Sequence, residues 1–291
     1  MKKILLLLTL ISSYSFAQFF EQDPLSMDVS GYNAFDVADF NGDSRNDLLY
    51  ANEFGFFWSE SDGDDNYYKI HQVYSIPAEL ARFYINNLLS EDVDEDGDMD
   101  IVFSSSGDDF IGLVWIENLG DGEFSDINII YETTCQSIIF NDMDGDGSKD
   151  IIIDIRGGRV DYINAIIILK NLGGGTFDTP VLVDSFDSYD RILNTGDLDE
   201  DGDLDLIVST TLENEILWYE NTGALTFSAA SLITDDVNNV MSMIPNDIDE
   251  DGDLDLVFNS LHDSKVVWQE NLGGGVFGDE HLISDFGYLC I

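Results

Sequence analysis

The sequence has few cysteines and few basic residues, and both shortages narrow the possible functions. Only two cysteines, Cys135 and Cys290, occur in 291 residues, which excludes a scaffold built on many disulfides. The repeat described below gives both cysteines equivalent places in different units, so we expect no bond between them. The chain has 11 basic against 59 acidic residues, a formal net charge of −48. Such a polyanion repels nucleic-acid phosphates and anionic membranes, which excludes both as partners.

Long apolar runs are also missing, apart from one at the N-terminus. The run Ile4–Ile11 follows two lysines and precedes a small-x-small cleavage sequence ending at Ala17. This run is too short to span a bilayer, and its layout is that of a secretory signal peptide. We therefore predict a signal peptide over residues 1–17, cleavage near Ala17-Gln18, and an exported mature chain, 18–291, without membrane insertion.

What the sequence does contain is an internal repeat. The pattern Asp-x-Asp-x-Asp-Gly-x-x-Asp, followed by three apolar residues, occurs four times, and a weaker copy precedes them, at a spacing of 50 to 55 residues. The five loops are residues 39–47, 92–100, 142–150, 197–205 and 247–255. A second landmark, Trp-x-Glu-Asn with a later Gly and Phe, keeps the same period, most clearly after Trp115, Trp218 and Trp268. Two landmarks that share one period predict one structural unit per repeat.

Each unit is predicted to form four strands. In the third unit these are Cys135–Phe140, Ile151–Ile155, Tyr162–Lys170 and Phe177–Val183, which are rich in strand-forming residues and separated by Gly, Asn and Asp. Helical spacing is nearly absent, and Pro77–Leu89 is the one stretch compatible with a turn or two of helix. Tandem four-stranded units of about 50 residues predict an all-β fold, a β-propeller of four-stranded blades. A stacked solenoid is the alternative.

The loops carry a pattern of oxygen ligands. Side-chain oxygens alternate at positions 1, 3 and 5, so a tight turn curls them around one cation, while Gly at position 6 supplies a positive φ. A backbone carbonyl at position 7 and the Asp at position 9 complete an all-oxygen shell, which suits Ca²⁺ better than Mg²⁺. The predicted metal ligands are Asp39, Asn41, Asp43, Asp47, Asp92, Asp94, Asp96, Asp100, Asp142, Asp144, Asp146, Asp150, Asp197, Asp199, Asp201, Asp205, Asp247, Asp249, Asp251 and Asp255.

Two other interpretations of the loops are less favoured. Acidic turns without an ion would hold nearly half of the 59 acidic residues in repulsive clusters. An EF-hand requires a bidentate acid at position 12, whereas position 12 is apolar in all five loops, namely Tyr50, Phe103, Ile153, Val208 and Phe258. We therefore predict up to five calcium ions, each held in a β-hairpin and stabilising the fold. The first site should be the weakest, because Ser44 replaces the glycine and Asn41 replaces one aspartate.

The Asp loops and the aromatic-Asn-Gly-Phe landmark resemble the VCBS and FG-GAP-like repeats, relatives of the calcium-loop blades of integrin α-subunit propellers. The resemblance extends from about residue 19 to the end, although the Gly-Ala-Pro signature of the integrin-type repeat is missing. It implies calcium bound by the loop carboxylates, usually seven blades, and a role in adhesion or in protein or glycan binding. The next loop is due near position 297, so either the natural chain is longer or the five units close with an overlap. We favour the longer chain, with about seven blades in the whole.

The predicted function is a non-catalytic binding or adhesion module for an extracellular protein or glycan, either secreted or at the cell surface. The alternatives are the propeller domain of a secreted carbohydrate-active enzyme and a structural spacer of a larger surface protein. The sequence has no nucleophile motif, and its three histidines, His71, His262 and His281, are scattered, which argues against an enzyme.

Two sets of side chains have a competing ligand-binding interpretation. The tryptophans are predicted to pack between blades rather than to stack on sugars, because they keep a fixed place in a strand; they are Trp58, Trp115, Trp218 and Trp268. On the face opposite the loops, four basic or titratable side chains are predicted to be ordinary surface charge rather than contacts to an anionic or sugar ligand; they are Arg156, Arg159, His262 and Lys265.

Overall fold

The computed structural model describes most of the chain after residue 33. The described residues are 34–52, 55–63, 67–76, 83–107, 112–156, 164–187, 191–210 and 212–285. The predicted signal peptide, Arg159 and Cys290 lie outside them. Within these ranges the chain is all-β, and no helix there is long and apolar enough to cross a membrane.

In the described residues, twenty strands form five antiparallel sheets of four strands, here called blades one to five in chain order. The strands of blades one to three are β1 (Phe35–Ala38), β2 (Asp47–Asn52), β3 (Gly55–Ser61), β4 (Tyr67–Ser75), β5 (Phe83–Glu91), β6 (Asp100–Gly107), β7 (Gly112–Ile116), β8 (Asn128–Tyr131), β9 (Cys135–Asn141), β10 (Asp150–Ile155), β11 (Asn164–Leu169) and β12 (Val181–Phe186). Those of blades four and five are β13 (Ile192–Gly196), β14 (Asp205–Thr210), β15 (Glu215–Tyr219), β16 (Ser231–Thr234), β17 (Met243–Asn246), β18 (Asp255–Ser260), β19 (Lys265–Asn271) and β20 (Phe277–Asp285).

Each blade is a meander whose strands pair in sequence order, as the repeat predicts. In blade three the four strands lie where they are predicted, except that Phe177 forms only an isolated bridge with Asn171 before the last strand begins. The helical interpretation of Pro77–Leu89 is wrong for its described part. Residues from Phe83 onward form β5, because they pair along their length with β6. The expectation of about seven blades stays a prediction.

The hydrophobic core is divided into four clusters, one at each contact between successive blades. The core is divided in this way because the three apolar residues after each Asp loop point alternately toward the preceding and the following blade. In blade two, Ile101 and Phe103 pack against Trp58 of blade one, while Val102 between them packs against Ile151 of blade three. Both faces of the second strand are thus buried, so its sequence is a continuous apolar run rather than an alternation.

The first strand of each blade contacts the first strand of the next blade, from β1 through β5, β9 and β13 to β17. Polar side chains fix several of these contacts. The Asp36 carboxylate accepts a hydrogen bond from the Ser90 backbone N–H at 2.6 Å, and the Asn194 side-chain amide donates to the Met243 carbonyl at 2.9 Å. The blades are therefore arranged side by side in chain order, and every Asp loop joins the first and second strands of its blade.

Candidate metal loops at the blade hairpins

The five Asp loops share one backbone conformation with two left-handed residues. The predicted positive φ at position 6 is confirmed, at 99° to 109° for the four glycines and 66° for Ser44. Position 4 is also left-handed, with φ between 63° and 73°, a feature that the sequence pattern did not reveal. Its residues are Gly42, Glu95, Gly145, Glu200 and Glu250. Side chains other than glycine are rare in this region, so five repetitions indicate a conformation imposed by the loop's own hydrogen bonds.

Those hydrogen bonds run from backbone N–H groups to the aspartates. In loop two, the Asp92 carboxylate accepts from the N–H groups of Asp96 and Gly97, both at 3.1 Å. Asp94 Oδ1 also accepts from the Asp96 N–H, at 3.3 Å, and Asp96 Oδ1 accepts from the Asp98 N–H, at 2.9 Å. The carboxylates are thereby turned toward the inside of the loop. The first loop has the same bonds, with the Asn41 side-chain oxygen in place of the second carboxylate.

The aspartates of loops two to five converge. In each of these loops three carboxylates offer oxygens within 4.8 Å of one another: Asp92, Asp94 and Asp96; Asp142, Asp144 and Asp146; Asp197, Asp199 and Asp205; Asp247, Asp249 and Asp251. Oxygens that share one Ca²⁺ lie 2.3–2.6 Å from it, and so no more than about 5 Å apart. The donor set is entirely oxygen, which fits this hard cation. These twelve of the predicted ligands therefore fit calcium in both spacing and chemistry, whereas the first loop, Asp100, Asp150, Asp201 and Asp255 are not part of a converging set.

The aspartate at position 9 lies beneath the loop and is fully buried, as at Asp100 in blade two. Its Oδ2 accepts from the Val93 N–H at 2.9 Å, and its Oδ1 accepts from the Asn118 N–H at 2.7 Å. The same pair of bonds recurs in all five blades. This residue therefore joins the two turns of its blade, which the sequence did not predict. Its role as a metal ligand stays a prediction.

Burial leaves these carboxylates electrostatically unfavourable without a cation. Desolvation raises the pKa of Asp100 to about 7 and those of Asp150 and Asp205 to about 6, although two backbone N–H donors oppose each rise. Desolvation and then the neighbouring carboxylates also raise the pKa values of Asp94 and Asp199. A divalent cation at the loop opposes both effects, because it stabilises the ionised form.

The asparagine of the second landmark links each blade to the loop of the blade before it. Its side-chain amide donates to the carbonyl of position 2 in the preceding loop, at 2.7–3.1 Å. The four pairs are Asn118 with Phe40, Asn171 with Val93, Asn221 with Met143 and Asn271 with Leu198. The sequence marks the asparagine as periodic but not its acceptor, which lies 73 to 78 residues earlier in the chain. Blade one has Ser61 in its place.

At three contacts between blades, the turn that follows the asparagine covers a tryptophan of the preceding blade. A Cβ added to Gly122, Gly175 or Gly275 would lie 2.2–2.5 Å from the ring of Trp58, Trp115 or Trp218, respectively. These three tryptophans are almost fully buried, so the prediction of packing between blades is confirmed for them. Trp268 is half-buried and stacks on His281 with 4.4 Å between ring centroids.

At the contact between blades three and four both residues of this pair are changed. Ile168 occupies the position of the tryptophan, and Leu225 occupies that of the glycine, and the two belong to the same hydrophobic cluster. A smaller side chain on one blade is thus matched by a larger one on the next. This matching agrees with close packing, in which the volume at a contact is conserved.

The remaining side chains singled out in the sequence form structural contacts or lie at the surface. Lys265 forms ion pairs with Glu280, at 2.9 Å, and with Asp236, and His262 is exposed and contacts the Asn238 side chain. Cys135 is a free, buried cysteine, and burial raises the pKa of its thiol to about 12. A thiol in this state is unreactive at neutral pH.

Comparison with known families and structures agrees with this geometry. The FG-GAP-like repeat family matches residues 92–153 and 197–258, and each match begins at one Asp loop and ends just after the next. No curated protein matches the chain. The first loop lies outside both matched segments, in keeping with its weaker sequence pattern.

Among solved structures, a lectin from Agrocybe aegerita that recognises non-reducing terminal N-acetylglucosamine is similar in fold, with a TM-score of 0.62 and 20% identity. The similarity covers 86% of this chain, which spans 65% of the lectin's length. The periplasmic gluconolactonase of Pseudomonas aeruginosa is more distant, with a TM-score of 0.47, 11% identity, and coverage of 87% of this chain and 71% of that one. The chain is thus an all-β protein of propeller blades that contains FG-GAP-like repeats.

Proposed function

We propose that this protein is an exported, calcium-dependent binding module without catalytic activity, and that its partner is an extracellular protein or glycan. The observation that carries the proposal is the convergence of three carboxylates within 4.8 Å in each of four loops. These loops repeat in phase along one series of blades, which points to one shared role for all of them.

Calcium in these loops would act chiefly on the contacts between blades. The loop of one blade holds the asparagine of the next through its position 2 carbonyl, as Met143 holds Asn221 at 2.7 Å. The position 9 aspartate holds the same turn from beneath, as Asp205 holds the Asn221 N–H at 2.8 Å. The turn is thus held by the loop of the preceding blade and by the loop of its own blade. An ion that orders either loop would therefore also help to hold this turn in place. We infer that calcium stabilises the surface on which a partner binds.

Binding rather than catalysis is supported by how the titratable side chains are used. The loop carboxylates accept hydrogen bonds from their own backbone, so most of them already have a structural role. His71 stacks on Trp58 at 4.1 Å, and His281 stacks in the same way on Trp268. Each of these histidines also contacts a glutamate of its own blade. The similarity in fold to a lectin makes glycans the first class of partner to test.

The proposal is tested with the purified mature protein, stripped of metal by a chelator. We expect calorimetry to detect calcium uptake, at dissociation constants of roughly 10⁻⁴ to 10⁻³ M as in other extracellular modules. A glycan array, including glycans ending in N-acetylglucosamine, is then probed with and without calcium. Saturable binding that is lost in chelator supports the proposal. Turnover of a polysaccharide by the same protein would replace it with the enzyme alternative, and absence of calcium uptake would refute it.

Export is tested separately. When the full chain is expressed in a secretion-competent host, we expect the protein outside the cytoplasm, with Gln18 as its first residue. Intact protein that keeps Met1 and remains in the cytoplasm would refute this part of the proposal.

A further inference from the structure

Blade three differs from its neighbours at the residue just before the asparagine. Blades two, four and five have a glutamate there, namely Glu117, Glu220 and Glu270, whereas blade three has Lys170. The Lys170 ammonium pairs with the Asp144 carboxylate and lies 2.9 Å from Asp146 Oδ2. A positively charged side chain of the protein thus lies in the third Asp loop.

The oxygens that Lys170 contacts are those that the loop itself leaves available. Asp144 Oδ1 accepts the Asp146 N–H at 3.2 Å, and Asp146 Oδ1 accepts the Ser148 N–H at 3.0 Å. The ammonium contacts the Oδ2 atom of both aspartates. These two residues occupy positions 3 and 5, two of the three that converge in this loop.

We propose that Lys170 is a tethered counter-ion that lowers the affinity of the third loop for calcium relative to loops two, four and five. The inference rests on the proposed calcium binding and concerns how the sites differ. An ammonium group cannot coordinate a metal, so it must leave Asp144 and Asp146 before a divalent cation contacts both oxygens. Its charge also repels the cation. The protein therefore has calcium sites of unequal affinity.

Neighbouring basic residues are placed differently. In the first loop, Arg45 pairs with Asp43 at position 5, so one carboxylate rather than two is engaged by that pair. Lys149 belongs to the third loop by sequence, but its ammonium pairs with Glu91, at 2.7 Å. Lys170, by contrast, contacts two converging carboxylates of one loop. The first loop, weakened by its sequence, and the third, weakened by Lys170, are then the two low-affinity sites.

The test compares calcium titrations of the metal-free mature protein and its Lys170→Met variant, using calorimetry and a chromophoric chelator as competitor. Two partly exposed ion pairs predict a gain in affinity of about tenfold at one site in the variant. Lys69→Met is the matched control, because it removes the same charge from an exposed pair with Glu60, at 2.7 Å, outside the loops. Circular dichroism confirms that each variant keeps its β-structure.

The gained site is assigned by adding Asp142→Asn to Lys170→Met. This second change should abolish the gain, because Asp142 is one of the three carboxylates that converge in the third loop. Equal affinities in the wild type and Lys170→Met, or the same gain in Lys69→Met, would overturn the role of Lys170 while leaving calcium binding intact. No calcium uptake by any variant would instead refute the proposed function.

Discussion

The contact between Asn221 and the preceding loop offers the sharpest test of how the blades are held together. Asn221 is fully buried. Its amide donates to the Met143 carbonyl at 2.7 Å and to the Leu204 carbonyl at 3.1 Å, and its Oδ1 accepts from the Gly223 N–H at 3.2 Å. Asn221→Ala removes all three bonds and leaves buried polar groups without these partners. At about 1 kcal/mol for each bond, and roughly 1–3 kcal/mol for the desolvated groups, we expect a loss of about 4–6 kcal/mol.

Thr222→Ala is the matched control for this change. Thr222 is the adjacent residue, is exposed, and donates one side-chain hydrogen bond to the Thr226 carbonyl at 2.9 Å. Its replacement should cost less than about 1 kcal/mol. A second variant, Asn221→Asp, keeps the shape of the side chain but replaces the donor with a carboxylate that faces two carbonyls. It should be at least as destabilising as Asn221→Ala at neutral pH.

Urea denaturation in saturating calcium measures the free energy of unfolding of these variants. Hydrogen exchange locates the effect, because the acceptor Met143 belongs to blade three whereas Asn221 belongs to blade four. We therefore expect faster exchange in residues 142–150 of Asn221→Ala, although the substitution lies 71 to 79 residues later in the chain. The reasoning is refuted if Asn221→Ala is as stable as Thr222→Ala, or if exchange in that loop is unchanged.

Three further predictions follow from the same contacts. Gly175→Ala should lower the free energy of unfolding by roughly 2–4 kcal/mol, since its Cβ would lie 2.4 Å from a tryptophan ring. Gly174→Ala is the control, because Gly174 has a similar φ but open space around it, and its replacement should cost clearly less. Equal losses in the two variants would contradict this prediction. Ile168→Trp and Leu225→Gly should each lower the melting temperature, and the double variant should recover part of the loss; additive losses would contradict the matching of volumes. In chelator, the raised pKa values of Asp100, Asp150 and Asp205 mean that the folded state binds more protons than the unfolded state between about pH 4 and 7. The melting temperature should therefore fall as the pH rises through this range, and calcium should remove the fall; a rise in chelator would contradict it.

The loops and strands were predictable because both are determined by residues that lie close together in the sequence. Three alternating aspartates with a glycine directly after the third specify a tight turn. The three apolar residues that follow, such as Ile151–Ile153, specify a strand buried on both faces. The burial of Trp58 was predictable for the same reason, since its place in the strand is periodic. The part of Pro77–Leu89 that the structure describes was misjudged, because its apolar spacing is ambiguous and pairing with β6 decides the outcome.

The links between blades were not predictable, because each one joins residues from different repeats. The substitution of Ile168 for tryptophan is visible in the sequence, but the compensating Leu225 lies in the next blade. The landmark also shows Lys170 in place of glutamate, without showing that its ammonium reaches Asp144. A single sequence gives the period of such residues and not their contacts, which depend on how one blade is placed against the next.

The hydrogen bonds between successive blades affect how calcium would act along the series of blades. The turn at Asn118 is held by the first loop through Phe40 and by its own blade through Asp100. Asp100 also binds the Val93 N–H in the second loop, and the Val93 carbonyl holds Asn171 in the next blade. The loops are therefore connected in series by alternating aspartates and asparagines. Ordering one loop would fix a carbonyl acceptor that the next blade needs. The free energy of calcium binding at one proposed site would therefore include part of the cost of ordering the next loop. The proposed calcium sites would therefore be coupled along the series of blades rather than independent.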